Sequence, residues 1–323
     1  MLESIPFMKT SKNQKKFACP VSVKDLILPC FVIEGTRRKE PIRSMPGISR
    51  FTVDLLSKEI SQARRLGIRS VILFGVCSRR HRNETGEYAY SPNSIVARAV
   101  AAIKDIFSDV CVMTDICLCA YMSHGHCGIV KKGSRHIDVK ATLEALSKMA
   151  VTHARAGADW VAPSAMTHRQ VRTLRRALNR YGFKKTKILG YSAKFASNFY
   201  GPFRDAADSA PQFGDRSGYQ LHYADSKRAL REIADDIQEG AAMVMVKPAL
   251  SYLDILKEAR LKHPFPLAAY NVSGEYAMVK QGAKAGFWDE KKMVFEILSS
   301  IKRAGADKII TYHAKNAAGW LKA

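Results

Sequence analysis

Eight short apolar runs, spaced through the chain and separated by amphipathic stretches, constrain the fold most. They occupy residues 26–34, 70–76, 110–117, 160–163, 188–192, 243–247, 267–272 and 308–312. Each is nearly continuously apolar, as strands covered on both faces must be. The stretches between them have helical periodicity: Leu230, Ile233 and Ile237 share one face, as do Met293, Ile297 and Ile301. Three junctions repeat one plan just before a strand: Ala156-Gly157-Ala158-Asp159, Gly240-Ala241-Ala242 and Ala304-Gly305-Ala306-Asp307. Glycine there predicts a left-handed residue ending the helix. Eight strand–helix units in a chain of 323 residues predict a (β/α)8 barrel, an α/β fold, over residues 26–323. No Gly-x-Gly-x-x-Gly follows the first strand, which argues against a dinucleotide fold.

The ends of this plan carry further expectations. Residues 1–25 are polar and basic around Ile5, Pro6, Phe7 and Met8; they read as a tail or as an arm that packs on a neighbouring subunit. The segment 195–223 is long for a strand-to-helix connection and rich in Gly, Pro and Asp. At the C-terminal end of a barrel strand it predicts an active-site lid. No run of eighteen apolar residues occurs and residues 1–16 lack an apolar h-region, so a cytoplasmic protein with no membrane span is expected. The net charge is +23, from 52 Lys and Arg against 29 Asp and Glu. Such a charge attracts anions, whether nucleic acid or small carboxylates. The basic residues are scattered and no stacking motif accompanies them, so dedicated nucleic-acid binding is not expected.

Barrel chemistry belongs at the C-terminal strand ends. Lys194 and Lys247 fall there, in Gly190-Tyr-Ser-Ala-Lys194 and Met243-Val-Met-Val-Lys247. Burial and a second nearby cation both depress a lysine pKa and expose the amine as a nucleophile for ketones. A lysine that merely caps a strand would look the same at either position alone. Two on consecutive strands favour a shared site. Cys117, Cys119 and Cys127 have the spacing of three soft metal ligands, with no obvious fourth although His124 and His126 are near. Three ligands and an open position are the pattern of catalytic zinc, and three buried thiols would show the same spacing. Arg204 and Arg216, both in the expected lid, suit carboxylates. Ser273 and Tyr312 end two late strands and offer hydroxyls.

These motifs together resemble the porphobilinogen synthases, or 5-aminolevulinate dehydratases, of the three-cysteine zinc type. The carriers are Asp115-Ile-Cys-Leu-Cys-Ala-Tyr-Met-Ser-His-Gly-His-Cys127-Gly, Tyr191-Ser-Ala-Lys-Phe-Ala-Ser-Asn-Phe-Tyr-Gly-Pro-Phe-Arg-Asp-Ala-Ala207, Met245-Val-Lys-Pro-Ala-Leu250 and Ala269-Tyr-Asn-Val-Ser-Gly-Glu-Tyr-Ala277. The resemblance runs from about Leu26 to Leu321. It implies a barrel with an N-terminal arm, assembled as a homo-octamer, that condenses two 5-aminolevulinates with loss of two waters in tetrapyrrole synthesis. It further implies that Lys247 and Lys194 bind the two ketones, and that Cys117, Cys119 and Cys127 hold zinc. Arg204, Arg216 and Gln220 would bind one carboxylate, Ser273 and Tyr312 the other, and Glu232 an allosteric magnesium ion. Ala165, His168 and Ala242 depart from the family, which has aspartates there. Asp115 remains and is expected to cover part of the missing acid's role on the second substrate. The departures keep two alternatives open: a relative with a changed second substrate, and a non-catalytic scaffold barrel.

Overall fold

The computed structural model describes residues 21–322. Ten strands form one sheet: β1 (Leu26–Ile33), β2 (Lys39–Pro41), β3 (Ser49–Phe51), β4 (Ser70–Val76), β5 (Cys111–Ile116), β6 (Trp160–Pro163), β7 (Lys187–Lys194), β8 (Met243–Lys247), β9 (Leu267–Asn271) and β10 (Lys308–Thr311). β1 and β4–β10 pair in parallel, in chain order, and β10 closes on β1 through Leu26↔Ile309 and Ile27↔Ile310. This is the expected (β/α)8 barrel, and its eight strands are the eight apolar runs to within three residues at either end. The sequence reading missed β2 and β3. They form a short antiparallel pair joined to the C-terminal half of β1.

The helices are α1 (Val53–Arg65), α2 (Ile95–Ile106), α3 (Val139–Arg155), α4 (Gln170–Arg180), α5 (Gly201–Ala206), α6 (Ser226–Gln238), α7 (Leu253–Lys262), α8 (Ser273–Lys284), α9 (Glu290–Ala304) and α10 (Ala314–Lys322). Asp225 caps α6 by accepting from the Arg228 amide, and Asp289 caps α9 by accepting from the Lys292 amide. The junction glycines do what their position predicts: Gly157 has φ +104° and Gly240 φ +100°. None of the described helices is long and apolar enough to cross a membrane. Of the expected arm, residues 1–20 lie outside the described residues. Val21 is buried, and residues 23–25 form a 3-10 turn before β1.

The strands divide the core into two layers by the period-two rule. Ile27 and Phe31 of β1, Ile72 and Phe74 of β4, Met243 and Met245 of β8, and Ala268 and Tyr270 of β9 fill the barrel. Their neighbours Val244, Val246 and Ala269 face the helices with Leu230, Ile233, Ile297 and Ile301. Counting on from Met243 and Met245, Lys247 falls in the inward series. In β7 the register shifts between Gly190 and Ala193. Leu189 and Tyr191 point inward, Ala193 outward, so the bulge reverses the alternation and brings Lys194 to the inner face.

Candidate active site

Lys194 and Lys247 are register partners on β7 and β8, and both side chains are about 5% exposed. The Lys194 ammonium donates to the Ser164 carbonyl just beyond β6. The Lys247 amine sits instead in an aromatic box. Its Nζ lies 4.2 Å from the ring centroid of Tyr270, 5.1 Å from Tyr191 and 5.2 Å from both Tyr200 and Phe203. Burial, and then the positive charge of Lys194, pull its pKa down to about 7. A carboxyl completes the group. Asp115, inward on β5, is pushed up to about 6 by burial, against the Ser164 hydroxyl and the two lysines. Its Oδ1 is buried without a hydrogen-bond partner.

Cys117, Cys119 and Cys127 meet beyond the end of β5, with their sulfur atoms all within 4.8 Å of one another and all three side chains buried. Cys117 Sγ lies 3.5 Å from Cys119 Sγ. Thiol hydrogen bonds from Cys117 and Cys119 hold Cys127 well below the ordinary thiol range; burial opposes this, and Arg216 and Lys194 assist. Three buried cysteine sulfurs, one of them acidified, beside a guanidinium fit a soft metal cation. The nearby histidines do not join it. His126 Nε2 donates to the Phe213 carbonyl at 2.9 Å, so its Nδ1 is left to accept from the Tyr219 hydroxyl at 3.3 Å. His124 Nδ1 accepts from the His126 amide.

Residues 195–223 cover this end of the barrel. The Phe195 amide donates to the Lys247 carbonyl and the Gln212 amide to the His124 carbonyl, and the Tyr200 hydroxyl also reaches the Lys247 carbonyl at 3.1 Å. From this segment Arg216 is buried and donates to the Gly125 and Ser209 carbonyls. Arg204 is half-buried, and its pKa is lowered by burial and by Arg216 beside it. The buried Nε atoms of Arg204 and Arg216, and both amide atoms of Gln220, have no partner. The two Nε atoms and Gln220 Nε2 are unpartnered donors of the kind a carboxylate ligand would satisfy.

The other expected residues have different company. Ser273 Oγ donates to the Phe199 carbonyl and accepts from the Phe203 amide, tying α8 to the lid. The Tyr312 hydroxyl meets that of Tyr270 at 3.1 Å, next to the aromatic box. Glu232, on α6, lies in a separate polar crevice with His168, Arg228, Asp235, Asp236 and Glu239. It accepts from Arg228 Nε at 3.4 Å and belongs to neither three-ligand group found among the described residues. Ala165 is buried, directly after the Ser164 carbonyl that Lys194 reaches. The sequence reading missed the aromatic box. Tyr191 and Tyr270 could have been found by counting inward positions along β7 and β9, whereas Tyr200 and Phe203 come from the lid, where no periodicity announces them. It also missed Ser164. A surface groove between α3 and α4 lies elsewhere and holds none of these residues.

Fold and candidate site together describe a (β/α)8 barrel with two buried lysines, a buried carboxyl and a three-cysteine cluster gathered where the strands end. The family model of delta-aminolevulinic acid dehydratase matches residues 8–320. The delta-aminolevulinic acid dehydratase of Archaeoglobus fulgidus is 50% identical over 298 residues, covering 92% of this chain and 91% of its own. That of Bacillus subtilis is 47% identical over 316 residues, covering 97% and 96%. The solved porphobilinogen synthase of Toxoplasma gondii, in complex with the reaction product porphobilinogen, superposes with a TM-score of 0.91 at 45% identity, covering 93% of this chain and 85% of that one. The chain belongs to the delta-aminolevulinic acid dehydratase family, and its activity is the formation of porphobilinogen.

Proposed function

We propose that the enzyme joins two 5-aminolevulinates, with loss of two waters, through Schiff bases on Lys247 and Lys194. The observation that carries this reading is the pairing of the two lysines across β7 and β8, one amine held near neutrality in an aromatic box. At pH 7 and above much of Lys247 is then free base. Its lone pair adds to the substrate ketone, and the carbonyl oxygen leaves as water once protonated, giving a carbon–nitrogen double bond. Asp115, with a carboxyl near 6, is tuned to lend and recover that proton. The rings of Tyr191, Tyr200, Phe203 and Tyr270 keep water away from the imine. Lys194 takes the second ketone, and its ammonium is oriented by the Ser164 carbonyl until it gives up its proton.

Arg204, Arg216 and Gln220 would bind one substrate carboxylate, an assignment supported by their unpartnered buried atoms. Ser273 and Tyr312 would bind the other, with Ser273 exchanging its lid contacts for the ligand. Cys117, Cys119 and Cys127 would hold zinc, which supplies a Lewis acid for the second substrate. Glu232 would hold magnesium, a cation that accepts one protein carboxylate and completes its shell with water. Assembly as a homo-octamer through residues 1–25, and work in the cytoplasm, complete the reading; mass photometry of the full chain against one lacking residues 1–20 tests the assembly.

Borohydride trapping tests the chemistry. With 5-aminolevulinate, the intact protein should gain the mass of a reduced adduct that maps to Lys247 and Lys194. Lys247→Ala should lose porphobilinogen formation while its circular dichroism stays that of a folded barrel. Absence of any adduct on the wild-type enzyme would overturn the covalent mechanism.

A further inference from the structure

We propose that Glu34, Cys77 and His81 form a second metal site, taking zinc or a similar borderline divalent cation through one carboxylate oxygen, one thiolate and one imidazole nitrogen. The strand register creates it. β1 and β4 pair up to Ile33↔Val76, so Glu34 and Cys77 are the next residues on neighbouring strands and leave the barrel side by side. The chain then turns through a 3-10 helix at Arg79–His81, which swings His81 back over them. Nδ1 of His81 lies 2.7 Å from Oε1 of Glu34, and the three potential ligand atoms are all within 4.8 Å of one another. Zinc bonds of about 2.0–2.3 Å in a tetrahedron set ligand atoms roughly 3.3–3.8 Å apart. Modest side-chain rotations therefore convert the cluster into a coordination shell.

The surroundings hold the ligands in place. The side chain of Glu34 is 14% exposed and Cys77 is buried. The His81 ring packs on Tyr88 with centroids 4.2 Å apart. Arg82 donates through Nε and a terminal nitrogen to the Cys77 carbonyl, which fixes the backbone carrying the thiol. Such outer contacts orient metal ligands. The Cys77 thiol itself has only the carbonyl of Ser78 to donate to, at 3.3 Å. A His–Glu contact accounts for two members of the cluster and apolar packing for the third; a mixed oxygen, nitrogen and sulfur site uses all three together. Arg80 approaches the other carboxylate oxygen of Glu34 at 3.5 Å from an exposed position, which leaves Oε1 for the metal. Three protein ligands leave a fourth position for water.

The site also touches the lid. Arg82, while holding the Cys77 carbonyl, donates to the carboxylate and carbonyl of Asp208. An ion bound to Cys77 and His81 would stiffen the turn from which Arg82 clamps residues 195–223.

Metal stoichiometry tests the proposal on the full chain. After loading with zinc and exhaustive dialysis, the wild type should retain two equivalents per protomer. Cys77→Ser should retain one, and so should Cys117→Ser/Cys119→Ser/Cys127→Ser. Cobalt gives a second readout that does not depend on that triple variant folding: the difference spectrum of wild type minus Cys77→Ser should contain a band for one thiolate-to-cobalt charge transfer, and His81→Gln should lose the same band. A wild type that holds a single equivalent overturns the proposal. So does a second equivalent that survives both Cys77→Ser and His81→Gln.

Discussion

Lys194 and Lys247 stand opposite each other across two parallel strands, yet their amines are treated differently: one donates to the Ser164 carbonyl, the other rests among four aromatic rings. The difference sets a pH dependence. Lys247 is nucleophilic only as the free amine, and burial together with Lys194 brings its pKa to about 7. The rate of borohydride-trappable adduct formation at Lys247 should therefore rise through pH 6–8 and level off above. Lys194→Met removes the neighbouring charge, so the midpoint at Lys247 should move up. A midpoint that stays fixed in Lys194→Met would remove Lys194 as a cause of the shift.

The thiol cluster predicts a linked loss of metal and activity. Cys127 is the member whose pKa is pulled well below the ordinary thiol range, by its two neighbours and by Arg216. Serine hydroxyls are harder and far less acidic than thiols and ligate soft cations poorly. Cys119→Ser/Cys127→Ser should lose the metal bound at this site and fall to background porphobilinogen formation. Plasma emission spectroscopy on the dialysed variant, compared with Cys77→Ser, measures which equivalent has gone. Full occupancy of the three-cysteine site in the double variant would dismiss it.

Much of this was legible in the sequence because the barrel has one simple rule. Strands buried on both faces are continuously apolar, so Lys194 and Lys247 stood out as charges where burial is costly. The cysteine spacing was legible for a related reason: ligands from one loop must be close in sequence. Sites built from several elements were not. Glu34 and His81 are 47 residues apart, and only the β1–β4 register unites them. Tyr200 and Phe203 reach Lys247 from the lid, whose path no local pattern specifies. The bulge between Gly190 and Ala193 was equally hidden, although without it Lys194 would face the helices.

Glu275 supports the site from behind. Its carboxyl accepts from the Leu250 and Val272 amides and from Asn271 Nδ2, at 2.8–2.9 Å, and so joins the segment after β8 to the start of α8. Glu275→Gln sets an amide N–H against at least one of these buried donors, and should cost about 1–3 kcal/mol in urea denaturation. Burial raises the Glu275 pKa from 4.5 to about 7. The folded chain thus holds this proton more tightly than the unfolded one. The resulting stability is complete below about pH 4.5 and is lost as pH rises through about 7. Glutamine has no such proton, so the gap between wild type and variant should narrow from pH 5 to pH 8. A gap that widens instead would mean the three donors outweigh burial and keep the carboxylate charged.

Ala165 provides the last test. It is buried directly after Ser164, the residue whose carbonyl orients Lys194 and whose hydroxyl bonds Asp115. A carboxylate there would stand near the second amine and near the cation expected at the cysteines. In a water-poor site such a charge is worth a few kcal/mol in the transition state, or about 10²-fold in rate. Ala165→Asp should therefore raise kcat for porphobilinogen formation. It should also lower the melting temperature, because Ala165 is buried among apolar residues and a carboxylate is costly to bury. Steady-state assays and thermal melts on the same preparation separate the two effects. An unchanged kcat with a lowered melting temperature would assign the acid's work to Asp115, already inside the barrel with its carboxyl near 6, and would make the alanine a settled feature of this site.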